Sequence, residues 1–180
     1  MIPKSLPQTI AAETCALRRL TMADAEPFYR FVSDDDSVQY MFFEDEQRTK
    51  DGARGMVEWV VNAYDTDESV CIFAIADKAT GEYMGNLGAQ TIKDTDETEF
   101  FYALLPQFRG QGHVTSAVKA FLRFMFDKGI QLAVAFIVPE NSASIRVVNR
   151  LNARFAGEAE LHGTPAVRYD IDRTIVKSWT

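Results

Sequence analysis

The apolar pattern changes period twice between residues 97 and 138, and this change constrains the fold more than any other feature. Residues 97–105 read as a strand. The loop Gln107-Phe108-Arg109-Gly110-Gln111-Gly112-His113 follows. Beyond it Val114, Val118, Phe121, Leu122 and Met125 fall at i, i+4, i+7, i+8 and i+11, one face of an amphipathic helix. Gly129 stops that helix, and residues 133–138 form a buried-strand run closed by Pro139. A strand, a helix and a strand in this order form a crossover unit, which brings the two strands parallel.

The rest of the chain reads toward the same sheet. Residues 1–14 carry Pro3 and Pro7 without a periodic pattern and read as a loose leader; residues 15–180 read as one domain. A short strand at 15–20 precedes Thr21-Met22-Ala23-Asp24, which has the capping-box form and predicts a helix to about Ser33. Met56, Val57, Val60 and Val61 repeat at helical spacing within a second helix at 50–64. Strands at 70–76 and 82–91 form a hairpin around the turn at 77–81. Asn141 is a good N-cap for a helix carrying Ile145, Val148 and Leu151. Strands at 153–161 and 165–176 close the chain, turning near His162-Gly163-Thr164. The order β α α β β β α β α β β predicts an α/β (α+β) domain, a mixed, mostly antiparallel central sheet flanked by helices on both faces.

Composition narrows the function. The net charge of −7 argues against a general nucleic-acid binder and against adhesion to anionic membranes. The longest apolar run, residues 132–138, is far short of the ~20 residues of a membrane-spanning helix. The N-terminus lacks the apolar core of a signal peptide. Cys15 and Cys71 belong to no CxxC or Cys/His cluster, so neither a metal site nor a disulfide framework is indicated. A cytoplasmic setting is expected. Residues 1–99 carry 20 acidic and 9 basic side chains, and residues 100–180 carry 6 and 10.

The loop at 107–113 carries the chemistry. Two glycines at spacing two let the backbone turn sharply and approach a ligand closely. The first-turn N–H groups of the following helix have no internal partners, and the helix dipole adds partial positive charge. Together they form a phosphate cradle, to which Thr115 adds a hydroxyl and Arg109 a charge. A nucleoside triphosphate loop needs GxxxxGK[ST], which is absent here. A dinucleotide fingerprint needs a third glycine and opens the first strand–helix unit; here Thr115 holds the third position and the motif comes late.

Gln107-x-x-Gly110-x-Gly112 resembles the Q/R-x-x-G-x-G/A pyrophosphate loop of the GNAT superfamily of acetyl-CoA-dependent N-acetyltransferases. Glu99-Phe100-Phe101-Tyr102-Ala103-Leu104-Leu105-Pro106 is similar to the family's strand before that loop. Asn141-Ser142-Ala143-Ser144-Ile145-Arg146-Val147 is similar to its N-x-x-S-x-R-V segment, and residues 81–88 to its G-x-x-I-G-x-x-G hairpin. The likeness spans about residues 12–176 and is nearest the branch of the ribosomal-protein N-terminal acetyltransferases. Departures are Phe101 for a small Gly, which narrows the acceptor side, Asn152 for Gly, His113 for Tyr and Ser116 for Glu.

The resemblance implies a GNAT-like fold that takes acetyl-CoA as acyl donor and needs no metal. It places the pyrophosphate on the backbone of Arg109, Gly110, Gln111, Gly112, His113 and Val114, with Gln107 and Thr115 beside it, and the acetyl carbonyl near the amides of Leu104 and Leu105. Asn141 contacts the pantetheine arm, and Ser144 is the hydroxyl near the thioester sulfur. Glu99 is the candidate general base, set in an acidic segment with Asp94, Asp96 and Glu97; Ser144 and Tyr102 are the candidate acids. The expected acceptor is a protein N-terminal α-amine or a small amine, attacking directly in a ternary complex. It reaches an open cleft lined by the first two helices, the 34–48 loop and the 161–166 turn. The acidic half of the chain would attract it. A monomer or homodimer is expected. The alternative is a non-catalytic acyl-CoA sensor or interaction module.

Overall fold

A computed structural model describes residue 3, residues 5–66 and residues 71–179. Among them, eight strands form one sheet: β1 (Thr9–Ala11), β2 (Ala16–Arg18), β3 (Cys71–Ala76), β4 (Tyr83–Thr91), β5 (Glu97–Leu104), β6 (Leu132–Ile137), β7 (Arg154–Leu161) and β8 (Thr164–Asp172). Their order is β1-β2-β3-β4-β5-β6-β8-β7. The β5–β6 pair is parallel and the other neighbouring pairs are antiparallel. The predicted crossover therefore runs through α4 (His113–Asp127).

Helices cover both faces. On one, Val118, Phe121, Leu122 and Met125 of α4 are fully buried against Phe73, Ile75, Leu87 and Phe100. Each such side chain contributes roughly 1.5–3 kcal/mol of burial. On the other, α1 (Ala25–Ser33) supplies Phe28, Phe31 and Val32, and α3 (Lys50–Ala63) supplies Val57 and Val60. The alternation of β3 serves both: Phe73 and Ile75 face α4, while Ala74 joins the α1–α3 core. A short α2 (Asp35–Val38) follows α1, with Asp34 accepting the Ser37 N–H at 2.7 Å.

Two expectations need correction. The leader is not loose throughout: Thr9–Ala11 is an edge strand paired with β2, and Leu6 and Ala12 are buried. Ile10 opposite Leu17 is too short a pattern for periodicity to detect. The last strand ends at Asp172 rather than residue 176, because Asp172 Oδ1 accepts the Thr174 and Ile175 N–H groups and starts α6 (Arg173–Lys177). That turn seats Trp179, whose Nε1 donates to Leu151 O at 2.9 Å. The strand expected at 70–76 is β3; Val70 lies outside the described residues.

Asp24 ties the first helix to the sheet. Its carboxylate accepts two hydrogen bonds from the Arg18 guanidinium, both at 2.7 Å, and one from the Thr21 N–H at 2.8 Å. Burial alone would raise the Asp24 carboxyl, but the Arg18 guanidinium and the Thr21 N–H hold it below its ordinary 3.8. A lowered carboxyl contributes stability that is present above the unfolded value and is lost as pH falls through the folded one. Asp24→Asn is therefore expected to destabilise the protein by about 1–3 kcal/mol at neutral pH in urea titrations. The difference from the parent should shrink once the pH drops below 3.8.

Candidate active site

β5 and β6 begin as neighbours and then part. They pair only as Glu97↔Leu132, Thr98↔Ala133 and Glu99↔Val134. Beyond that point β6 keeps β8, β5 keeps β4, and a wedge opens between residues 100–104 and 135–137. Arg168 of β8 clasps the closed end: it donates to both Glu97 oxygens, at 2.7 and 3.0 Å, and to Asp170 at 2.7 Å. The wedge exposes backbone. Leu105 donates its N–H to Met84 O at 2.9 Å. The alternation of an antiparallel ladder then turns the amides of Tyr102 and Leu104 the other way, into the wedge.

The loop delivers a helix end to the same place. Gly110 and Gly112 have φ of 77° and 83°, a left-handed backbone that favours glycine. A Cβ at either would meet open space, so conformation rather than crowding selects glycine. α4 starts at His113 with no side-chain cap, which leaves its first N–H groups available to an anion. A groove of about 400 Å³ runs from this helix end to α5 (Ser142–Arg150). Arg146 and Arg150, one turn apart on α5, line it beside Gly110, Gly112, Val114 and Thr115. The arrangement suits a ligand with an anionic, phosphate-bearing portion.

A second cavity, of about 450 Å³, lies on the sheet face under α1 and α3. Groove and chamber share Tyr40, Met41, Tyr102, Ala103, Asn141 and Ser144, so they open into each other through the wedge. The first two long helices, residues 40–43 and Leu161 and His162 line the chamber, as expected for the open cleft. Glu99 is the one Asp or Glu among the described lining residues. Of the other acids of the first half, Asp24 pairs with Arg18, Asp65 with Arg19 and Glu26 with Lys50, away from the chamber lining.

The structure brings most of the singled-out residues together. Glu99 lines the chamber and accepts from Gln90 Nε2 at 2.6 Å. Tyr102 O–H donates to Ser144 O at 3.4 Å, and burial pushes its phenol up to about 12, so it keeps its proton at neutral pH. Asn141 Oδ1 accepts the Ser144 N–H at 3.0 Å, the predicted helix cap, while its side chain borders both cavities. Leu104 lines the groove, and its carbonyl accepts from Arg109 Nε at 3.1 Å. Arg109 also donates to Asp36 O at 3.2 Å, so it braces the loop against α2 as well as lining the groove. The His113 ring lies 3.1 Å from Thr14 Oγ1, fastening α4 to the β1–β2 turn.

Three residues stand apart. Leu105 is buried in the α1–α3 core. Gln107 and Gln111 are exposed outside the groove lining, with Gln111 Nε2 donating to Gln107 O at 3.2 Å. Conversely, Arg146 and Arg150 carried a legible signal, two arginines at i and i+4 on a predicted helix. Tyr40 and Met41 sit in an irregular segment and carried none.

Comparison with known proteins agrees with this architecture. An acetyltransferase (GNAT) domain matches residues 15–154. An uncharacterized N-acetyltransferase of Bacillus licheniformis, p20, is 26% identical over 155 residues, covering 83% of this chain and 84% of the relative. The ribosomal-protein-S5-alanine acetyltransferase of Vibrio fischeri has a similar fold, with a TM-score of 0.73 at 16% identity over 91% of this chain and 96% of that one. The microcin C7 self immunity acetyltransferase MccE, solved with acetyl-CoA and AMP, gives a TM-score of 0.75 at 18% identity over 89% and 93%. The domain match runs across most of the chain, and the fold agrees with it: the chain belongs to the GNAT acetyltransferase family and is an N-acetyltransferase.

Proposed function

We propose that the groove holds acetyl-CoA and that the chamber presents a primary amine, a protein N-terminal α-amine or a small amine, for direct attack in a ternary complex. The observation that carries this reading is the shared boundary of the two cavities, where Tyr102, Asn141 and Ser144 meet beside the Leu104 amide. A reducing compartment such as the cytoplasm suits the two free, buried thiols of Cys15 and Cys71.

The donor supplies an electrophilic thioester carbonyl and a thiolate leaving group. The uncapped start of α4, with Arg146 and Arg150 opposite, holds the pyrophosphate. The Leu104 N–H polarises the carbonyl oxygen. Glu99 takes a proton from the ammonium, directly or through a water. As the nitrogen–carbon bond forms and the carbon–sulfur bond breaks, the Tyr102 or Ser144 hydroxyl gives a proton to sulfur, and the second proton shed by the acylated nitrogen restores that hydroxyl. A covalent relay through cysteine is not supported. Neither Cys15 nor Cys71 lines the groove or the chamber, and burial pushes the Cys71 thiol up to about 12.

Release of free CoA across an amine panel that includes N-terminal peptides tests the reading. Turnover is expected with at least one amine. Glu99→Gln should lower kcat/KM roughly 10²–10⁴-fold while leaving acetyl-CoA affinity unchanged. No turnover with any amine, while acetyl-CoA still raises Tm, would favour a non-catalytic sensor instead.

Tyr102→Phe gives a second check. Burial raises the phenol, so its proton-donating form persists through the neutral and mildly alkaline range. The variant should lose kcat by roughly tenfold or more. The shape of the pH–kcat profile should not change over that range. An alkaline limb present in the parent and absent from the variant would count against Tyr102 as a retained donor.

A further inference from the structure

The chamber's lining is mostly aromatic and aliphatic, with Asn86, Gln90 and Glu99 as its polar residues from β4 and β5 apart from Tyr102. Phe28, Phe43, Met56, Val60, Phe136 and Phe101 form its walls and floor, and no Lys or Arg lines it among the described residues. Of the four exposed large hydrophobic side chains among the described residues, Phe42 and Trp59 both border this chamber. Phe42 also meets the His162 ring at 4.8 Å between centroids, bridging the 40–43 segment to the β7–β8 turn.

Phe101 belongs to the floor. It pairs across the strands with Gly88, and a Cβ on Gly88 would lie 2.7 Å from the Phe101 ring. The end of the ring therefore occupies the space where a side chain at 88 would stand, on the face that carries Glu99 and lines the chamber. An amine seated beside Glu99 has Phe101, two residues along the same face of β5, as a neighbour for the rest of its body. A charged or polyamine body would lose its hydration there with little in return, since Glu99 is the one carboxylate among the described lining residues and the reacting ammonium already takes it. An aromatic or branched aliphatic body gains burial and ring stacking.

We propose that the acceptor is a primary amine carried on a compact apolar body, aromatic or branched aliphatic, and that Phe101 is the residue that sets this preference. The proposal rests on the amine-acetylation reading above and names its substrate class. The apolar body can belong to a free amine or to the first residue of a peptide; both present the same chemistry to the chamber.

The test compares kcat and KM for phenylalaninamide, leucinamide, glycinamide and spermidine, and for peptides differing only in a first residue of Phe, Leu, Gly or Asp. The apolar members should exceed the glycine and charged members in kcat/KM by roughly tenfold or more. Whether the free amides or the peptides lead identifies the source of the body. Phe101→Ala should bring the series to within a few-fold of parity, chiefly by raising KM for the apolar members. Acetyl-CoA affinity should stay as in the parent, and Phe101→Leu should retain a partial preference. Glycinamide, spermidine or the Asp peptide used as well as the apolar members would overturn this inference and leave amine acetylation standing. An apolar preference that survives Phe101→Ala in a protein that still binds acetyl-CoA would overturn the role of Phe101. Silence with every amine would overturn both readings.

Discussion

The structure depends on β5 and β6 ceasing to pair. Three residue pairs hold them together, and each strand then stays with its outer neighbour. A sheet that splits in its middle leaves amide groups without strand partners, and a buried unpaired amide costs about 1–3 kcal/mol. The Arg168 clasp to Glu97 and Asp170 sits at the closed end and keeps the split from running further. The strain of an open ladder is thereby confined to residues 100–104 and 135–137, where a ligand can supply the missing partners.

The two faces of β5 then divide the work. Tyr102 and Ala103 are consecutive, so their side chains point to opposite faces, and both border the groove and the chamber. The anion-holding end of α4 lies on one side of the wedge and the aromatic chamber on the other. Bringing donor and acceptor together thus requires no large movement of the scaffold. Proximity of this kind, set by the backbone, is a large part of what catalysis by direct transfer needs.

Much of this was legible from the residues. The late crossover follows from the switch of period around Gly110 and Gly112, and the α4 face follows from five apolar positions. Asn141 as cap and the left-handed Asn152, with φ of 57°, follow from side-chain chemistry that acts locally. What was hidden depends on tertiary context. The edge strand Thr9–Ala11 is held by pairing with β2, not by its own pattern. The chamber's low charge was hidden because net charge over a stretch of sequence does not say where its acids lie in the fold: of those in residues 1–99, Glu99 is the one that lines the chamber among the described residues. Leu105 illustrates the same limit: beside Leu104 in sequence, it turns its amide to the opposite edge of the strand.

The contact between Gly88 and Phe101 limits how this chamber can change. A side chain introduced at 88 would meet the Phe101 ring at 2.7 Å and the Cys71 carbonyl oxygen of β3 at 2.9 Å. Shrinking the ring relieves the first clash and leaves the second, which belongs to the neighbouring strand's backbone. The floor can therefore be reshaped through the side chain at 101, but not by building one at 88.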